Sequence, residues 1–350
     1  MKILNVMLGA GQGGLEYSFV HYTRTFSEMG YTSAVLCHKN SPYIAEFKKD
    51  KNIPLFTTTA CIWNPYAWLR IIKAIKTFKP DILCLQGNRA IHFGASRLLK
   101  LFIRPFPIIM ATTHNARNKL FYKLDGMYAI TQYLRNNLIN DFGIPAEKVF
   151  DCPHSVPCPN DKMQYKLHKP VTIGFLGRLE TVKGCDVLLE ACCKLKNQDV
   201  PFCLIIAGEG SLMEKYKQFV SLNGLENNIK FIGWIKDKNK FFSDIDILCL
   251  PSRSEGQPLT LLEGLAYAKP AVVSSCPGMM EVIAHKNCGL VFDIENADQL
   301  AEKLSYMIKN PKLCKELSDK AYETFSENYN IDVQKRNLNY GIEQTLKNKK

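Results

Sequence analysis

The sequence predicts an α/β protein made of two doubly wound parallel sheets. Short apolar runs typical of buried strands alternate with helical stretches along the whole chain of 350 residues. Two of these runs, 2–8 and 171–177, lead into glycine, so we expect each to be the first strand of its sheet. A segment with four prolines, 153–170, separates the two series. We therefore predict two domains, 1–160 and 161–330, that face each other across a cleft.

The remaining strands are predicted from apolar runs bounded by polar residues, glycine or proline. These runs lie at 32–38, 81–87, 107–114, 202–208, 229–234 and 245–252. Because helical stretches join consecutive strands, the strands are expected to be parallel and covered by helices. Residues 331–350 are highly charged, and we predict a C-terminal helix there. Whether this helix crosses back to the first domain is left open.

The composition is that of a globular protein. Hydrophobic residues make up 46% of the chain and charged residues 22%. No apolar run approaches the ~18–20 residues that a membrane-spanning helix requires. The first apolar run ends early in a glycine loop, which suits a first strand better than a signal peptide. We therefore expect a cytoplasmic protein.

The thirteen cysteines include no CxxC pair. Many lie inside apolar runs, as Cys84 and Cys249 do, where a free thiol acts as a small hydrophobic side chain. Cys152 and Cys158 flank His154, but the neighbouring prolines favour a simple loop over a metal site. We predict no disulfide and no structural metal.

Two loops of the second half follow predicted strands, where open α/β sheets bind their ligands. Arg178 and Lys183 lie on the loop 177–184, just before a predicted helix. Two cations beside a helix N-terminus can bind a diphosphate through charge-assisted hydrogen bonds and the helix dipole. The turn AGEG at 207–210 lies at the same sheet edge. For each loop alone, ordinary solvated surface charge is the alternative.

Two further features complete the pattern. The strand end FIGW at 231–234 offers backbone amides to a planar base. The stretch SEGQPLTLLEG places Glu255 in a strand-to-helix loop and Glu263 in the first turns of the helix. Surface charge and a favourable helix dipole would also explain the two glutamates, so only the combination indicates a ligand site.

These residues together resemble the nucleotide-sugar domain of the family 4 glycosyltransferases, which are retaining enzymes of the GT-B fold with two Rossmann-like domains. The motifs GRL…KG, AGEG, F-x-G-W and E-x7-E all occur, and the match covers most of 171–295. The resemblance implies that Arg178 and Lys183 bind the donor diphosphate. It also implies that Glu263 holds the ribose hydroxyls and that Glu255 contacts the transferred sugar.

The first half resembles the family more loosely. Its glycine loop at 9–14 is similar to the first-strand loop of the family, and His114 follows a strand where the family keeps an active-site histidine. A purely structural histidine is the alternative. The implied catalytic residues are His114, Arg178, Lys183 and Glu255. The implied donor-binding residues are Gly13, Gly14, Arg178, Lys183, Gly208, Glu263 and, through their backbone amides, Leu259 and Thr260.

The resemblance also bears on cofactors and mechanism. No Asp-x-Asp pair is placed to hold a metal over the diphosphate, so Arg178 and Lys183 are expected to replace Mg²⁺, and no cofactor is predicted. A UDP-sugar is the favoured donor because UDP is the commonest nucleotide among such enzymes. The resemblance implies a front-face displacement, in which the departing phosphate helps to deprotonate the acceptor hydroxyl.

Other functions stay open at this point. The glycine loop also fits G-x-G-x-x-G, and Lys39 near the next strand end would suit an NADP-dependent oxidoreductase. A sugar-nucleotide epimerase of the same fold would share the donor site. A glycosidase also uses two carboxylates, but it would have no need of a diphosphate site. A non-catalytic binding module is the alternative that agrees least with a complete set of donor-binding residues.

The net charge of +12 is concentrated in the first half. Residues 1–162 hold 20 basic and 10 acidic residues, whereas the rest of the chain is nearly balanced. Such an asymmetry predicts an anionic partner for the first half. We expect a membrane surface that carries a glycolipid or glycan acceptor, and no nucleic acid.

Two segments carry this membrane prediction. In 67–79, four basic residues recur three apart, at helical spacing: Arg70, Lys73, Lys76 and Lys79. In 95–107 the basic residues Arg97, Lys100 and Arg104 are predicted on one helical face beside leucines. Phe106, between two prolines, is expected to be an exposed aromatic side chain at the end of this segment. Basic amphipathic helices bind anionic membranes. Ordinary sheet-covering helices with basic wet faces are the alternative. We predict a peripheral enzyme on the inner face of the cytoplasmic membrane, with lipopolysaccharide or another glycolipid as acceptor.

Overall fold

The computed structural model describes residues 1–11, 14–59, 63–114, 120–159 and 165–349, without the side chains of Gly14 and Tyr17. The chain divides into two compact units, Met1–His154 with Ile331–Lys350, and Ser155–Asn330. The division thus falls near the start of the proline-rich segment, and the C-terminal residues group with the first unit.

The first unit is built on a parallel sheet. Its strands are β1 (Lys2–Met7), β2 (Thr32–His38), β3 (Leu55–Thr58), β4 (Ile82–Gln86), β5 (Ile108–Thr113), β6 (Gly126–Ala129) and β7 (Val149–Asp151). They pair in the order β3-β2-β1-β4-β5-β6-β7, and every pair is parallel. All four runs predicted here are strands. The strands β3, β6 and β7, which have three or four residues each, were not predicted.

Helices join these strands. They are α1 (Gly14–Glu28), α2 (Ile44–Lys49), α3 (Pro65–Phe78), α4 (Gly87–Gly94), α5 (Arg97–Phe102) and α6 (Gln132–Asn136). Helix α3 begins where the side chain of Asn64 accepts the amide of Tyr66 and Pro65 takes the first position.

The second unit contains a smaller sheet of the same kind. Its strands are β8 (Val171–Leu176), β9 (Phe202–Ala207), β10 (Ile229–Gly233), β11 (Ile247–Leu250), β12 (Ala271–Ser274) and β13 (Gly289–Phe292). Their order is β10-β9-β8-β11-β12-β13, again with parallel pairs only. The prediction of two doubly wound parallel sheets is therefore confirmed.

The helices of the second unit alternate with these strands. They are α7 (Cys185–Asn197), α8 (Met213–Leu222), α9 (Lys238–Asp244), α10 (Leu259–Ala266), α11 (Pro277–Ala284), α12 (Ala297–Lys309) and α13 (Pro311–Asn328). The last helix, α14 (Ile331–Asn348), packs against β6 and β7 of the first unit. There the hydroxyl of Tyr128 donates to the carbonyl of Leu338 at 2.7 Å.

Hydrophobic clusters cover both faces of the first sheet. Leu4 and Val6 of β1 pack in a cluster with side chains of α3, α4 and α5, whereas Ile3 packs with Tyr128 and Ile342 on the other side. Burial of each such side chain contributes about 1.5–3 kcal/mol to folding. Because the faces are occupied in this way, the side chains that can meet a ligand lie in the loops at the strand ends.

One predicted helix is shorter than expected. The sequence analysis placed Arg97, Lys100 and Arg104 on one helical face, but α5 ends at Phe102 and the chain then becomes extended. The prediction was wrong for Arg104, because Pro105 disfavours the helical conformation at the residue before it. Arg97 and Lys100 do lie on α5, and both are exposed.

The structure also differs from the prediction in two details of the basic segments. Phe106, expected to be exposed, is half-buried against the core, and the ammonium of Lys100 lies 5.6 Å from its ring centroid. Arg70 and Lys73 lie exposed on α3 as predicted, whereas Lys79 caps the end of that helix in a left-handed conformation.

The described part of the chain contains no helix with both the length and the apolar character needed to cross a membrane. Each cysteine in the described ranges is a free thiol, and most of them are buried. Cys61 lies outside those ranges.

Candidate functional site

The loop that follows β8 is shaped by a glycine. Residues Thr181–Lys183 form a single turn, which ends at Gly184 with a φ of +66°. A Cβ atom at Gly184 would lie 1.9 Å from the carbonyl oxygen of Pro251, in the loop after β11. Only glycine permits this contact, so the two loops lie against each other at the carboxyl edge of the sheet.

Lys183 and Glu255 form an ion pair between these two loops. The Nζ atom of Lys183 lies 2.5 Å from Oε1 of Glu255, and both side chains are largely buried. The hydroxyl of Ser252 donates to the same oxygen at 2.9 Å. The structure thus brings together two residues that the sequence analysis assigned to the diphosphate and to the sugar. Ser252 was not predicted, because the residue pattern carries no signal for it.

Arg178 lies on the same loop and its side chain is exposed, so solvent and ligands can reach it. The neighbouring Glu180 is held by another residue, because it accepts hydrogen bonds from the amide and the hydroxyl of Ser211. Those bonds, with a smaller contribution from Arg178, lower the pKa of Glu180. Arg178 is therefore a cation that an incoming anion can reach.

The AGEG turn is packed against the end of β8. Gly208 has a φ of +132°, and a Cβ atom there would lie 1.9 Å from the carbonyl oxygen of Gly177. The amide of Gly208 donates to the carbonyl of Gly233 at 2.7 Å, which joins the turn to the FIGW strand end. Gly208 thus has a structural reason to be glycine in addition to its predicted role beside the donor.

Glu263 is a buried carboxylate in the second turn of α10. Its Oε1 atom lies 2.5 Å from Nζ of Lys238, at the start of α9. Its Oε2 atom is buried and has no hydrogen-bond partner among the described residues. Burial raises the pKa of Glu263, an effect that the charge of Lys238 partly offsets. Lys238 was not predicted, because nothing in the residue spacing relates α9 to α10.

Leu259 and Thr260 are the first two residues of α10, as the sequence analysis required. Amides in the first turn of a helix have no acceptor within that helix, so they can donate to an anion. Helix α11 packs closely against the loop before them, since a Cβ atom at Gly278 would lie 1.3 Å from the carbonyl oxygen of Gly256. No side chain can be added there without moving this loop.

In the first unit, His114 follows β5 as predicted. Its ring stacks on that of His154, with centroids 5.2 Å apart and planes 25° apart, and Nδ1 of His154 lies 3.4 Å from the hydroxyl of Ser18. The Nε2 atom of His114 is buried without a partner in the described ranges. Burial lowers the pKa of His114 to about 4 and that of His154 well below its usual value.

The glycine loop of the first unit is described only in part. Gly13 lies outside the described residues, and Gly14 begins α1. Two residues later, the buried side chain of Glu16 reaches this loop, since a Cβ atom at Gly11 would lie 2.8 Å from its Oε1 atom. Glu16 was not predicted from the sequence.

The acidic and thiol side chains of the described ranges form no metal-binding group. No three His, Cys, Asp or Glu residues in those ranges lie together in a way that could hold a metal ion. Metal independence remains a prediction.

Family models match both halves of the chain. Residues 159–324 match the model described as Glycosyl transferases group 1, and residues 12–158 match the model described as Glycosyltransferase Family 4. The site built from Lys183, Glu255 and Glu263 therefore lies within the first of these matches.

Individual proteins resemble the chain over different lengths. An uncharacterized glycosyltransferase of Haemophilus influenzae is 32% identical over 348 residues, which cover 91% of this chain and 93% of the relative. An O-antigen biosynthesis glycosyltransferase of Escherichia coli is 28% identical over 180 residues, which cover 51% of this chain and 48% of the relative. The crystal structure of Anabaena HepE in complex with UDP is similar in fold, with a TM-score of 0.85 at 18% identity, over 98% of this chain and 100% of that one.

Proposed function

The chain belongs to the group 1, or family 4, glycosyltransferases of the GT-B fold, and we propose that it transfers a sugar from a UDP-sugar to a membrane-associated glycan acceptor. The transfer proceeds with retention of the anomeric configuration and without a metal ion. The acceptor is a glycolipid or a lipopolysaccharide or polysaccharide precursor at the inner face of the cytoplasmic membrane.

The main observation in support of this proposal is the hydrogen bonding of the Glu263 carboxylate. One of its carboxylate oxygens is paired with Lys238, and the other is buried with no described partner. A buried oxygen of this kind costs free energy unless a donor reaches it. Ribose hydroxyls supply such donors, and UDP bound in Anabaena HepE is an example of a ribose ligand in a protein of this fold.

The diphosphate would bind next to this position. Lys183 and the exposed Arg178 supply positive charge, and the amides of Leu259 and Thr260 supply hydrogen-bond donors. Transfer breaks the bond between the anomeric carbon and a diphosphate oxygen, so negative charge builds on the leaving group. Preorganised cations and amides stabilise that charge, and one such donor contributes about 2.7–4 kcal/mol.

The acceptor forms the new bond at the same carbon. Its hydroxyl oxygen attacks the face from which the diphosphate leaves, and its proton passes to a diphosphate oxygen. Glu255, which is held by Lys183 and Ser252, would orient hydroxyls of the transferred sugar. The O-antigen relative supports a cell-surface glycan as the acceptor class.

Exposed side chains of the first unit support a membrane-bound acceptor. Helices α3 and α5 pack on the same hydrophobic cluster, so both cover one face of the sheet. Their outward surfaces combine cations with large apolar side chains, which suits the headgroup region of an anionic bilayer. The exposed residues are Trp63, Tyr66, Leu69, Arg70 and Lys73 at α3 and Arg97, Leu98, Lys100, Leu101 and Phe102 at α5.

The test is transfer of labelled sugar from a panel of UDP-, GDP- and ADP-sugars to membrane glycolipids, with and without EDTA. We expect UDP-dependent transfer that EDTA does not reduce, and nuclear magnetic resonance should show the donor's anomeric configuration in the product. Formation of an epimeric sugar from the UDP-sugar without any acceptor would instead establish an epimerase. Transfer with another nucleotide only, with inversion, or with a strict metal requirement would contradict the corresponding part of the proposal.

A further inference from the structure

Arg253, in the loop between β11 and α10, reaches back to the loop that carries Lys183. Its guanidinium donates to the carbonyl of Thr181 at 2.6 Å and to both carboxylate oxygens of Asp186 at 2.9 and 2.8 Å. Its Nε atom donates to Glu295 at 2.6 Å. One side chain therefore ties together the turn, the first residues of α7 and the segment after β13.

The backbone reinforces this link. The amide of Arg253 donates to the carbonyl of Val182 at 2.8 Å. The turn Thr181–Lys183 is only three residues long, and the amide of Gly184 closes it on Thr181 at 3.2 Å. So short a turn has few hydrogen bonds of its own, and its position depends on contacts from outside.

We infer that Arg253 is a positioning residue for Lys183. By clamping the turn to Asp186, it holds the Lys183 ammonium beside Glu255, and in the donor complex it would hold that ammonium against the diphosphate. The identity of this ligand rests on the proposed function. Lysine could not replace Arg253, because a single ammonium lacks the planar fork that meets a carboxylate and a carbonyl together.

The charge around Arg253 distinguishes positioning from direct binding. Its guanidinium is offset by two carboxylates, Asp186 and Glu295. If Arg253 bound phosphate directly, loss of either carboxylate should strengthen UDP binding. If Arg253 instead positions the turn, loss of Asp186 should weaken UDP binding, because the guanidinium loses the carboxylate that fixes it. Both acids are partly exposed, so water can solvate them after Arg253 is replaced, and the variant should fold.

The test combines hydrogen exchange without ligand with calorimetric titration of UDP, using Arg253→Met, Arg253→Lys and Asp186→Asn. We expect amide exchange in 181–184 to rise about tenfold or more in each variant and the Kd for UDP to rise about tenfold. In a Lys183→Met background, Arg253→Met should change the Kd less than twofold, because its effect acts through Lys183. Lys194→Met is the control. Lys194 lies on the same helix α7, and its substitution breaks a 2.6 Å pair with Asp298 of α12, so it should change neither readout.

Unchanged exchange in 181–184 in the Arg253 variants would overturn the inference, as would tighter UDP binding by Asp186→Asn or additive effects of Arg253→Met and Lys183→Met. If exchange rises as expected but the wild-type protein does not bind UDP, the clamp stands and the proposed donor fails.

Discussion

The ammonium of Lys183 and the carboxylate of Glu255 lie 2.5 Å apart although 72 positions separate them in the chain. This pair joins the loop assigned to the donor diphosphate to the loop assigned to the transferred sugar. Because both side chains are largely buried, the interaction is stronger than that of a surface ion pair. Removal of either partner should therefore have a distinct effect on binding and on turnover.

In the proposed mechanism, Lys183→Met should lower kcat/KM with the preferred UDP-sugar by about 10²–10³-fold, because it removes a cation from the leaving group and leaves Glu255 with the Ser252 hydroxyl but no cation. Glu255→Gln should lower kcat while leaving the Kd for UDP equal or smaller, because the amide keeps the shape of the site but releases the charge of Lys183. Initial rates and calorimetry on purified protein give both values.

The control for both variants is Lys194→Met, which removes a partly exposed lysine of the same unit. Near-wild-type kcat/KM in Lys183→Met would contradict the assignment of the diphosphate site. Weaker UDP binding in Glu255→Gln would indicate that Glu255 contacts the nucleotide and not the sugar.

Glu263→Gln should reduce the discrimination between UDP and 2′,3′-dideoxy-UDP. In the proposed site the wild-type carboxylate offers its buried oxygen to the ribose hydroxyls, so loss of those hydroxyls should cost about 1.5–3 kcal/mol, or roughly 10–150-fold in Kd. In Glu263→Gln the two ligands should differ by much less, as measured by calorimetric titration. Equal discrimination in both proteins would place the ribose elsewhere.

The stability of the first unit should fall in mild acid because of His114. Burial lowers its pKa to about 4, whereas the ordinary value is 6.5. Between these values the unfolded chain binds more protons than the folded chain, so stability is lost as the pH falls below 6.5. For His114 alone the loss is about 2 kcal/mol at pH 5, and the buried His154 adds to it.

Urea unfolding at pH 7.5 and pH 5 tests this effect. The difference in the free energy of unfolding between the two pH values should shrink in His114→Asn and stay unchanged in His92→Asn, which replaces an exposed histidine of α4. An identical pH dependence in wild type and His114→Asn would show that His114 protonates equally in both states.

The residue pattern predicted the two parallel sheets and placed Lys183, Glu255 and Glu263 at strand ends, because alternation and local turn signals are written in consecutive residues. The partners of those residues could not be predicted in this way. Lys238 meets Glu263, and Arg253 meets Asp186, only because the sheet order brings separate loops together.

Errors in the prediction had local causes. A periodic pattern of basic residues continued through 104, but α5 stops at Phe102 because a proline follows at 105. The strands β12 and β13, of four residues each, were missed, whereas β11, which is as short, was predicted from the run 245–252. Periodicity therefore identifies long elements well, whereas it overruns helix ends and misses most short strands.

Membrane binding should depend on both the cations and the apolar side chains of α5. Arg97 and Lys100 are exposed there beside Leu101 and Phe102, which are 70% and 51% exposed. Each basic residue near an anionic surface contributes ~1 kcal/mol, so Arg97→Gln with Lys100→Gln should weaken binding to anionic vesicles about 30-fold. Co-sedimentation with vesicles of anionic and of neutral lipid, at low and high salt, measures this change.

Substitution of the cations and substitution of the apolar side chains of α5 should separate electrostatic attraction from apolar contact with the lipid. Loss of the cations should remove the salt dependence contributed by α5 and leave weak binding to neutral vesicles unchanged, because the apolar contact is not screened. Leu101→Ser with Phe102→Ser should weaken binding to both vesicle types, because it removes apolar area that enters the lipid. Lys309→Gln with Lys312→Gln, which removes two exposed cations from the second unit, should change neither. If this control weakens binding as much as the α5 variant does, net charge alone attracts the protein and α5 is not a docking helix. If wild-type protein binds neither vesicle, the acceptor is a soluble glycan, and the basic surface of the first unit must serve another anion.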